Sequence, residues 1–230
     1  MLYHQFGIKN EHELAEALNS HRLDGVKGIG KRRIERMKVL LALTRSGQPM
    51  LLKDGRRIGT ALVNLIRKIP GVQQAELCGS IRRKSKFIGD IDILVIAAPE
   101  DRLAIVQRFI TSRHILRVLV KGANKASVLL RYQNIQVDIR LMHAYEYGAA
   151  LLYMTGSREH TIRLRTIAKQ KGYTMNEYGI FEVATHRRIA GLTEEEMYRA
   201  LGLKYIPPEF RLNNGEIEAA ALSGPGVAVK

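Results

Sequence analysis

The chain has 230 residues, one cysteine and a formal net charge of +15, from 37 basic and 22 acidic residues. A single cysteine excludes internal disulfides and thiolate metal clusters, and no apolar run approaches the roughly 18 residues of a membrane span. The N-terminus lacks the charged-then-apolar layout of a signal peptide, which indicates a cytoplasmic, nucleoid-associated protein. The basic excess favours nucleic acid over a membrane as partner, because no basic amphipathic helix with aromatic anchors is visible.

The N-terminal region predicts two helices around a glycine-rich turn. The first helix covers residues 11–17, with Asn10 as its N-cap, and the second runs from residue 31 to residue 43. Between them, Gly28, Gly30 and Lys31 resemble a helix-hairpin-helix, whose free backbone amides bind a DNA phosphate because no Cβ blocks its approach. The alternative is a plain glycine turn with a solvated basic face.

Residues 44–57 are polar and contain glycine, which indicates a connector. Apolar residues then recur at helical spacing over residues 58–69, which predicts a helix with one buried stripe. Pro70-Gly71 ends this helix. A short strand is predicted at residues 75–78.

Residues 77–96 read LCGSIRRKSKFIGDIDILVI and contain the densest group of candidate site residues. Asp90 and Asp92 open an apolar strand, and because side chains alternate along a strand, both project from the same face. Two neighbouring carboxylates repel each other and neither gains by burial, so the pattern predicts a cation, for which Mg²⁺ is the usual partner. Gly79 and Ser80 end the preceding strand and offer amides and a hydroxyl to a phosphate.

A third carboxylate, Asp138, lies in the middle of an alternating segment, residues 135–141. Gln136 and Arg140 share its polar face, while the other residues of this strand are apolar. An isolated aspartate in a strand is often at an exposed edge. With Asp90 and Asp92 on a similar strand, however, a shared site is the preferred interpretation.

The C-terminal region predicts a helix over residues 158–171, capped by Ser157, on which Arg158, Thr161, Arg165 and Lys169 share one face. A strand is predicted at residues 174–182, and Thr193 with Glu196 forms a capping box. Residues 213–230 contain few bulky side chains and are predicted to be a disordered tail.

The three aspartates could hold two Mg²⁺ ions about 3.5–4 Å apart, with Mn²⁺ as a possible substitute. One ion would activate an attacking hydroxyl, and the other would hold a triphosphate and stabilise the leaving pyrophosphate. Nucleotidyl transfer follows as a hypothesis.

Four motifs now support a resemblance that covers essentially the whole chain. GSIRRKSKFIGDIDILV, VDIRL, LLYMTGS and YTMNEYGIF occur in the order found in family X DNA polymerases, the DNA polymerase beta relatives. The C-terminal YIPPEFR and GEIEAA resemble its bacterial and archaeal branch. The resemblance implies an α+β protein with a nucleotidyltransferase-fold palm, built on a mixed β-sheet with helices, at residues 71–147. A helical fingers-type subdomain would cover residues 1–70, and a small α/β subdomain that closes over the nascent base pair would cover residues 148–212.

The resemblance also implies roles for individual residues. Asp90 and Asp92 would bind both metals, and Asp138 would bind the catalytic ion and activate the primer 3′-hydroxyl. The residues expected to bind the nucleotide are Gly79, Ser80, Arg83 and Gly89 at the phosphates, and Tyr153 and Gly156 at the sugar. The residues expected to bind DNA are Gly28, Gly30, Lys31, Arg165 and Lys169, and those expected to support the closed state are Arg140, Asn176, Glu177 and Tyr178.

The chain departs from the family pattern at several positions. Met154 stands where the family often has phenylalanine, so weaker discrimination against ribose is expected. Arg158 and Thr161 replace an acidic residue and an asparagine, so base-contact roles are not carried to them. The resemblance further implies that this chain lacks the family's N-terminal lyase-type domain and its C-terminal PHP phosphoesterase domain, so neither lyase nor 3′-nuclease activity is expected.

The sequence therefore predicts a monomeric, Mg²⁺-dependent DNA-directed DNA polymerase of the gap-filling repair type. Its expected substrates are a dNTP and primer–template or gapped DNA. Two alternatives stay open: a template-independent nucleotidyltransferase acting on nucleic-acid ends, and a catalytically weak DNA-binding scaffold.

Overall fold

The computed structural model describes residues 6–8, 11–26, 28–44, 49–131 and 135–221. The chain divides into two compact units, Met1–Gly47 and Gln48–Lys230. Within the described ranges, no helix is both long enough and apolar enough to cross a membrane.

The described residues of the first unit include the helices α1 (Glu11–Asn19) and α2 (Lys31–Thr44), close to the predicted bounds. Ile29, in the middle of the glycine turn, is only 2% exposed, and the backbone amides of Arg33 and Ile34 donate to the Gly30 carbonyl as α2 begins. The side chains that form the core of this unit are Ile8, Ala17, Leu18, Leu23, Ile29 and Ile34. The predicted cap at Asn10 lies outside the described residues.

The second unit is built on a five-stranded mixed sheet with the strand order β2-β4-β7-β6-β5. The strands are β2 (Val72–Leu77), β4 (Asp90–Ala97), β5 (Ile115–Lys121), β6 (Lys125–Leu130) and β7 (Gln136–Met142). The β4–β7 pair is parallel, and every other pair in this sheet is antiparallel. The two strands predicted to carry carboxylates are therefore neighbours in the centre of the sheet.

Two helices, α3 (Leu52–Ile66) and α5 (Pro99–Ile110), cover one face of this sheet. Alternate residues of β4 and β7 point into their shared core, as the period of two predicted. The buried side chains from these elements include Ile91, Ile93, Val95, Val137, Ile139, Leu62, Ile66, Ile105 and Phe109. The opposite face of both strands carries polar residues where the strands begin, and Leu94, Ile96 and Met142, which belong to a second apolar cluster, farther along.

The predicted connector at residues 44–57 is wrong in its second half. A two-residue strand, β1 (Met50–Leu51), pairs with β3 (Phe87–Ile88), and α3 begins directly after it. Gly55, which indicated a connector, permits close packing instead, because a Cβ there would lie 2.9 Å from Ile88 Cγ1. Gly59, in the predicted helix, packs as closely, and a Cβ there would lie 2.7 Å from Leu77 Cδ2. The predicted domain boundary at residue 70 stays a prediction, although α3, which precedes it, packs on the sheet.

Residues 147–200 form three α-helices and a small antiparallel sheet. They are α6 (Tyr147–Thr155), α7 (Arg158–Gln170), β8 (Tyr173–Asn176), β9 (Gly179–Glu182), β10 (Arg188–Ala190) and α8 (Glu194–Ala200). Ser157 and Thr193 cap α7 and α8, as predicted, by accepting hydrogen bonds from the backbone amides of His160 and Glu196. The single predicted strand at residues 174–182 is wrong, because Asn176 Oδ1 accepts from the Tyr178 amide at 2.9 Å and so reverses the chain between β8 and β9.

The predicted disordered tail is also wrong for residues 213–221. A short helix, α9 (Glu216–Ala219), places Ile217 in the core formed by α7 and α8, and Ala221 pairs with Leu203. The Glu216 carboxylate contacts buried His160 Nδ1 at 2.6 Å. A segment with few apolar residues is therefore held by Ile217 and Ala220 in the core, by the Glu216–His160 hydrogen bond and by the Glu218–Arg163 ion pair. Residues 222–230 lie outside the described part of the chain.

Candidate metal and nucleotide site

Three carboxylates converge at one end of the central strand pair. Asp92 lies directly opposite Asp138 in the parallel β4–β7 register, and Asp90 lies opposite Gln136. Each aspartate offers an oxygen that lies within 4.8 Å of the others, and within the described ranges no other group of three His, Cys, Asp or Glu residues is this close. The sheet thus brings together the three aspartates that the sequence singled out.

The carboxylates oppose one another electrostatically. Burial, with the charges of Asp90 and Asp138 added to it, raises the pKa of Asp92 to about 7, while Arg83 acts in the opposite direction. Asp90 is exposed at the rim of the site. Its partial loss of hydration, and then the negative charge of Asp138, raise its pKa as well. A divalent cation would remove this conflict, and three carboxylates are the hard oxygen ligands that Mg²⁺ and Mn²⁺ prefer. The residues present therefore fit the ions that the sequence implied.

Both oxygens of Asp138 accept hydrogen bonds from neighbouring side chains. Ser127 Oγ, opposite Asp138 in the β6–β7 register, donates to Oδ1. Gln136 Nε2 donates to Oδ2 at 2.6 Å. The alternation of residues 135–141 puts Gln136 on the same face as Asp138, with no role predicted for it. No local pattern reveals the strand pairing that brings Ser127 to Asp138.

The segment that follows β2, beside the carboxylates, contains hydrogen-bond donors without a partner in the described part of the protein. Its first residues form the single-turn helix α4 (Gly79–Arg82). Gly79 has a φ of +54°, and a Cβ at this position would overlap Asp92 Oδ2. Ser80 Oγ and Arg83 Nε, both within the described residues, are buried and have no hydrogen-bond partner. Such donors next to a metal-binding cluster suit the oxygens of a phosphate.

Arg83 is fixed from the other side by α6. Its Nη1 donates to the Thr155 carbonyl, and a Cβ on Gly156 would lie 3.3 Å from this nitrogen. Burial lowers the pKa of Arg83, while Asp92 and Asp90 act to raise it. A Cβ on Gly89, by contrast, would meet no protein atom within 4 Å. The predicted need for glycine at residue 89 therefore has no support from contacts within the protein.

Tyr153 lies between two arginines. The Arg140 and Arg165 guanidinium carbons are 5.7 Å and 5.3 Å from the centroid of its ring. Arg140, two residues after Asp138, also pairs with Glu177 Oε1 at 2.6 Å. One chain of contacts thus links Arg165, Tyr153, Arg140 and Glu177. Asn176 and Tyr178 lie in the turn that contains Glu177. Lys169 is exposed on α7, one turn after Arg165.

Met154, the departure noted in the sequence, is half-buried and packs on an apolar cluster. The buried members of this cluster are Cys78, Leu94, Ile96, Met142, Ala150 and Leu151. Its contacts are therefore those of a core side chain, and its expected effect on sugar selection stays a prediction. Cys78 belongs to the same core, and burial raises the pKa of its thiol, which keeps it protonated.

A buried ion-pair network that the sequence did not predict holds α4. Arg82 Nη1 and Nη2 donate to the two Glu194 oxygens at 2.9 and 2.7 Å, and Arg211 Nη1 donates to Oε1 at 2.6 Å. Burial acts to raise the pKa of Glu194, but the hydrogen bonds from Arg82 and Arg211 outweigh it and hold that pKa below its ordinary value. The network connects the phosphate-side loop to α8.

The glycine turn of the first unit is the predicted binding site of a DNA phosphate, and its backbone is open at Gly30. Gly28 has a φ of +85°, and its carbonyl accepts from Arg33 Nη1 at 3.1 Å. A Cβ on Gly30 would meet nothing within 4 Å, so the approach to the backbone is open. Lys31 is exposed at the start of α2.

Comparison with known proteins agrees with this geometry. Residues 150–212 match the family model described as "DNA polymerase beta thumb". The chain is 30% identical over 221 residues to "DNA polymerase/3'-5' exonuclease PolX" of Bacillus subtilis (strain 168), which covers 94% of this chain and 38% of that protein. It is 32% identical over 138 residues to "Repair DNA polymerase X" of African swine fever virus (isolate Tick/South Africa/Pretoriuskop Pr4/1996), which covers 58% of this chain and 79% of the viral protein.

Solved structures share the fold. Leishmania infantum polymerase beta in a ternary P/T complex matches with a TM-score of 0.72 at 20% identity, over 91% of both chains. Its ternary gap complex matches with a TM-score of 0.73 at 19% identity, over 92% of this chain and 83% of that chain. The α+β, polymerase-beta-like fold is therefore shown. The viral relative, most of whose length is matched, shows the family as well as the fold: the chain belongs to the family X DNA polymerases.

Proposed function

We propose that this protein is a DNA-directed DNA polymerase of the repair type, which fills short gaps in DNA. It would add a deoxynucleoside monophosphate to a primer 3′-hydroxyl and release pyrophosphate. The observation that carries the proposal is the Asp90–Asp92–Asp138 cluster beside the unpartnered donors of Ser80 and Arg83. The printed names of the relatives, which include a repair DNA polymerase, support the same activity.

Asp90, Asp92 and Asp138 would hold two Mg²⁺ ions, or Mn²⁺ in their place. Bound there, the ions supply charge neutralisation at the triphosphate and lower the pKa of the attacking hydroxyl. Asp138 would face the primer terminus, since each of its oxygens keeps a lone pair after accepting one hydrogen bond. Ser80, Arg83 and the amides at Gly79 and Gly89 would hold the β- and γ-phosphates.

Tyr153 and Gly156 would line the sugar of the incoming nucleotide. Arg165 and Lys169 would contact DNA, and the Arg140–Glu177 pair, with Asn176 and Tyr178, would keep Arg165 and Tyr153 in place. Gly28, Gly30 and Lys31 would bind a DNA phosphate in the first unit. The substrates would be a dNTP and primer–template or gapped DNA, bound by a monomer in the cytoplasm at the nucleoid.

Extension of a primer across a one-nucleotide gap tests this function. Each dNTP is supplied singly, with Mg²⁺ or Mn²⁺, and Asp138→Asn serves as the matched control because it keeps the size of the side chain and removes its charge. We expect extension only with the complementary dNTP and none by the variant. Extension regardless of the template base would contradict the proposal in favour of template-independent transfer, and DNA binding without extension would favour a scaffold.

A further inference from the structure

Asp138 differs from a simple metal ligand in that its carboxylate is held at both oxygens. Ser127 Oγ donates to Oδ1 and Gln136 Nε2 donates to Oδ2 at 2.6 Å. The donors come from opposite sides: Ser127 belongs to the antiparallel neighbour β6, and Gln136 precedes Asp138 by two residues on β7. Two donors on two oxygens fix the plane of the carboxylate, since rotation about the Cβ–Cγ bond breaks at least one hydrogen bond.

The two donors leave each Asp138 oxygen able to take one further partner. Each carboxylate oxygen can accept about two hydrogen bonds or ligand bonds, and each has used one. Both donors are half-buried and sit on rigid strands, so their own positions are set by the sheet. Gln136 also lies opposite Asp90 in the β4–β7 register, so its backbone position is set beside the cluster.

We infer that Ser127 and Gln136 are positioning residues for nucleotidyl transfer, which hold the Asp138 carboxylate in the orientation that binds the cation and meets the primer hydroxyl. The inference rests on the proposed function for its catalytic part. It adds two residues that act through Asp138 and touch neither nucleotide nor primer. Hydrogen-bond partners of ligating carboxylates typically change metal affinity or activity by roughly 10- to 100-fold when removed.

Ser127 allows a matched pair of variants. Ser127→Ala removes the hydroxyl, whereas Ser127→Thr keeps it and suits a strand. Gln136→Met keeps the length of the side chain and removes the donor. We expect Ser127→Ala and Gln136→Met to lower the single-turnover extension rate at saturating dNTP by roughly 10- to 100-fold, with dNTP affinity within about twofold of wild type. Ser127→Thr should retain most of the rate.

A binding measurement gives a readout that does not depend on turnover. Mn²⁺ is titrated into the full chain without DNA or nucleotide and followed by electron paramagnetic resonance, and urea unfolding checks that each variant is folded. We expect Ser127→Ala and Gln136→Met to weaken Mn²⁺ binding by roughly tenfold or more, and Ser127→Thr to bind like wild type.

Two results would overturn the inference: wild-type Mn²⁺ affinity and rate in Ser127→Ala and Gln136→Met, or an equal loss in Ser127→Thr and Ser127→Ala. If the wild-type chain extends no primer, the proposed function fails, but the Mn²⁺ titration still decides whether Ser127 and Gln136 orient Asp138.

Discussion

Asp92 lies between two other carboxylates, and its protonation governs what the site can bind. Burial and the charges of Asp90 and Asp138 raise its pKa to about 7. A cation must displace the proton that Asp92 carries below this pH. The same residue therefore links cation binding, pH and stability.

We expect Mn²⁺ affinity to fall about tenfold for each pH unit below 7, because one proton at Asp92 competes with each bound cation. Titrations of Mn²⁺ between pH 5.5 and 8, followed by electron paramagnetic resonance, measure this slope. An affinity that stays constant from pH 8 to pH 6 would show that Asp92 is already ionised in the cation-free protein.

Asp92 changes the pH dependence of folding stability in the opposite direction from a usual aspartate, whose pKa is lower in the folded chain. The folded-state pKa of Asp92 lies above its ordinary value of 3.8, so the folded chain binds more protons than the unfolded chain between about pH 4 and 7. Stability without cation therefore decreases as pH rises through this window. In EDTA at pH 8 we expect Asp92→Asn to be more stable than wild type by about 2 kcal/mol, after allowance for solvent screening, and the difference to vanish near pH 4. Urea unfolding at both pH values checks this.

Gly79 is a residue for which no side chain has room. A Cβ there would overlap Asp92 Oδ2, and the φ of +54° adds backbone strain. We expect Gly79→Ala to lower the free energy of unfolding by about 3 kcal/mol and to abolish Mn²⁺ binding. Gly89→Ala is the matched control for stability, since its Cβ would meet open space. Equal stability of the two variants would contradict the predicted clash.

At the scale of elements, α4 is a single turn whose position depends on distant charges. Its Arg82 shares Glu194 with Arg211, which is fully buried. We expect Glu194→Gln to cost about 3–5 kcal/mol, because two arginines lose their countercharge. Glu209→Gln removes the more exposed Lys84 pair and should cost much less, because solvent screens that pair. Urea unfolding compares the two, and similar losses would mean that the buried network contributes little.

The sequence predicted β4 and β7 because alternation is a local pattern, and it predicted the three aspartates because each lies on the polar side of such a strand. It missed the start of α3, since Gly55 indicates a connector until the side chain of Ile88 is known to lie against it. No local signal could reveal that Arg82 meets Glu194, 112 residues away, or that Ser127 lies beside Asp138. Contacts across strands and between helices depend on tertiary pairing, which the local pattern of a single sequence does not reveal.

At the scale of the whole molecule, the net charge of +15 predicts DNA binding that weakens steeply with salt. We expect Lys31→Ala to reduce the slope of log affinity against log salt by about 1, because one phosphate contact is lost. Lys204→Ala changes the net charge equally at an exposed position outside the proposed DNA-binding residues and should leave the slope unchanged. Fluorescence anisotropy with gapped DNA between 50 and 200 mM salt measures both. Identical slopes for the two variants would assign the effect to net charge alone.

The position of β7 in the sheet has a consequence for how the protein folds. β7 is the last of the five strands in the chain, yet it lies between β4 and β6. Its parallel pairing with β4 joins β2 and β4 to β6 and β5, and the same pairing brings Asp138 against Asp90 and Asp92. Closing the sheet therefore creates the carboxylate repulsion, which grows as pH rises. A divalent cation that binds the cluster would stabilise the whole sheet as well as the site.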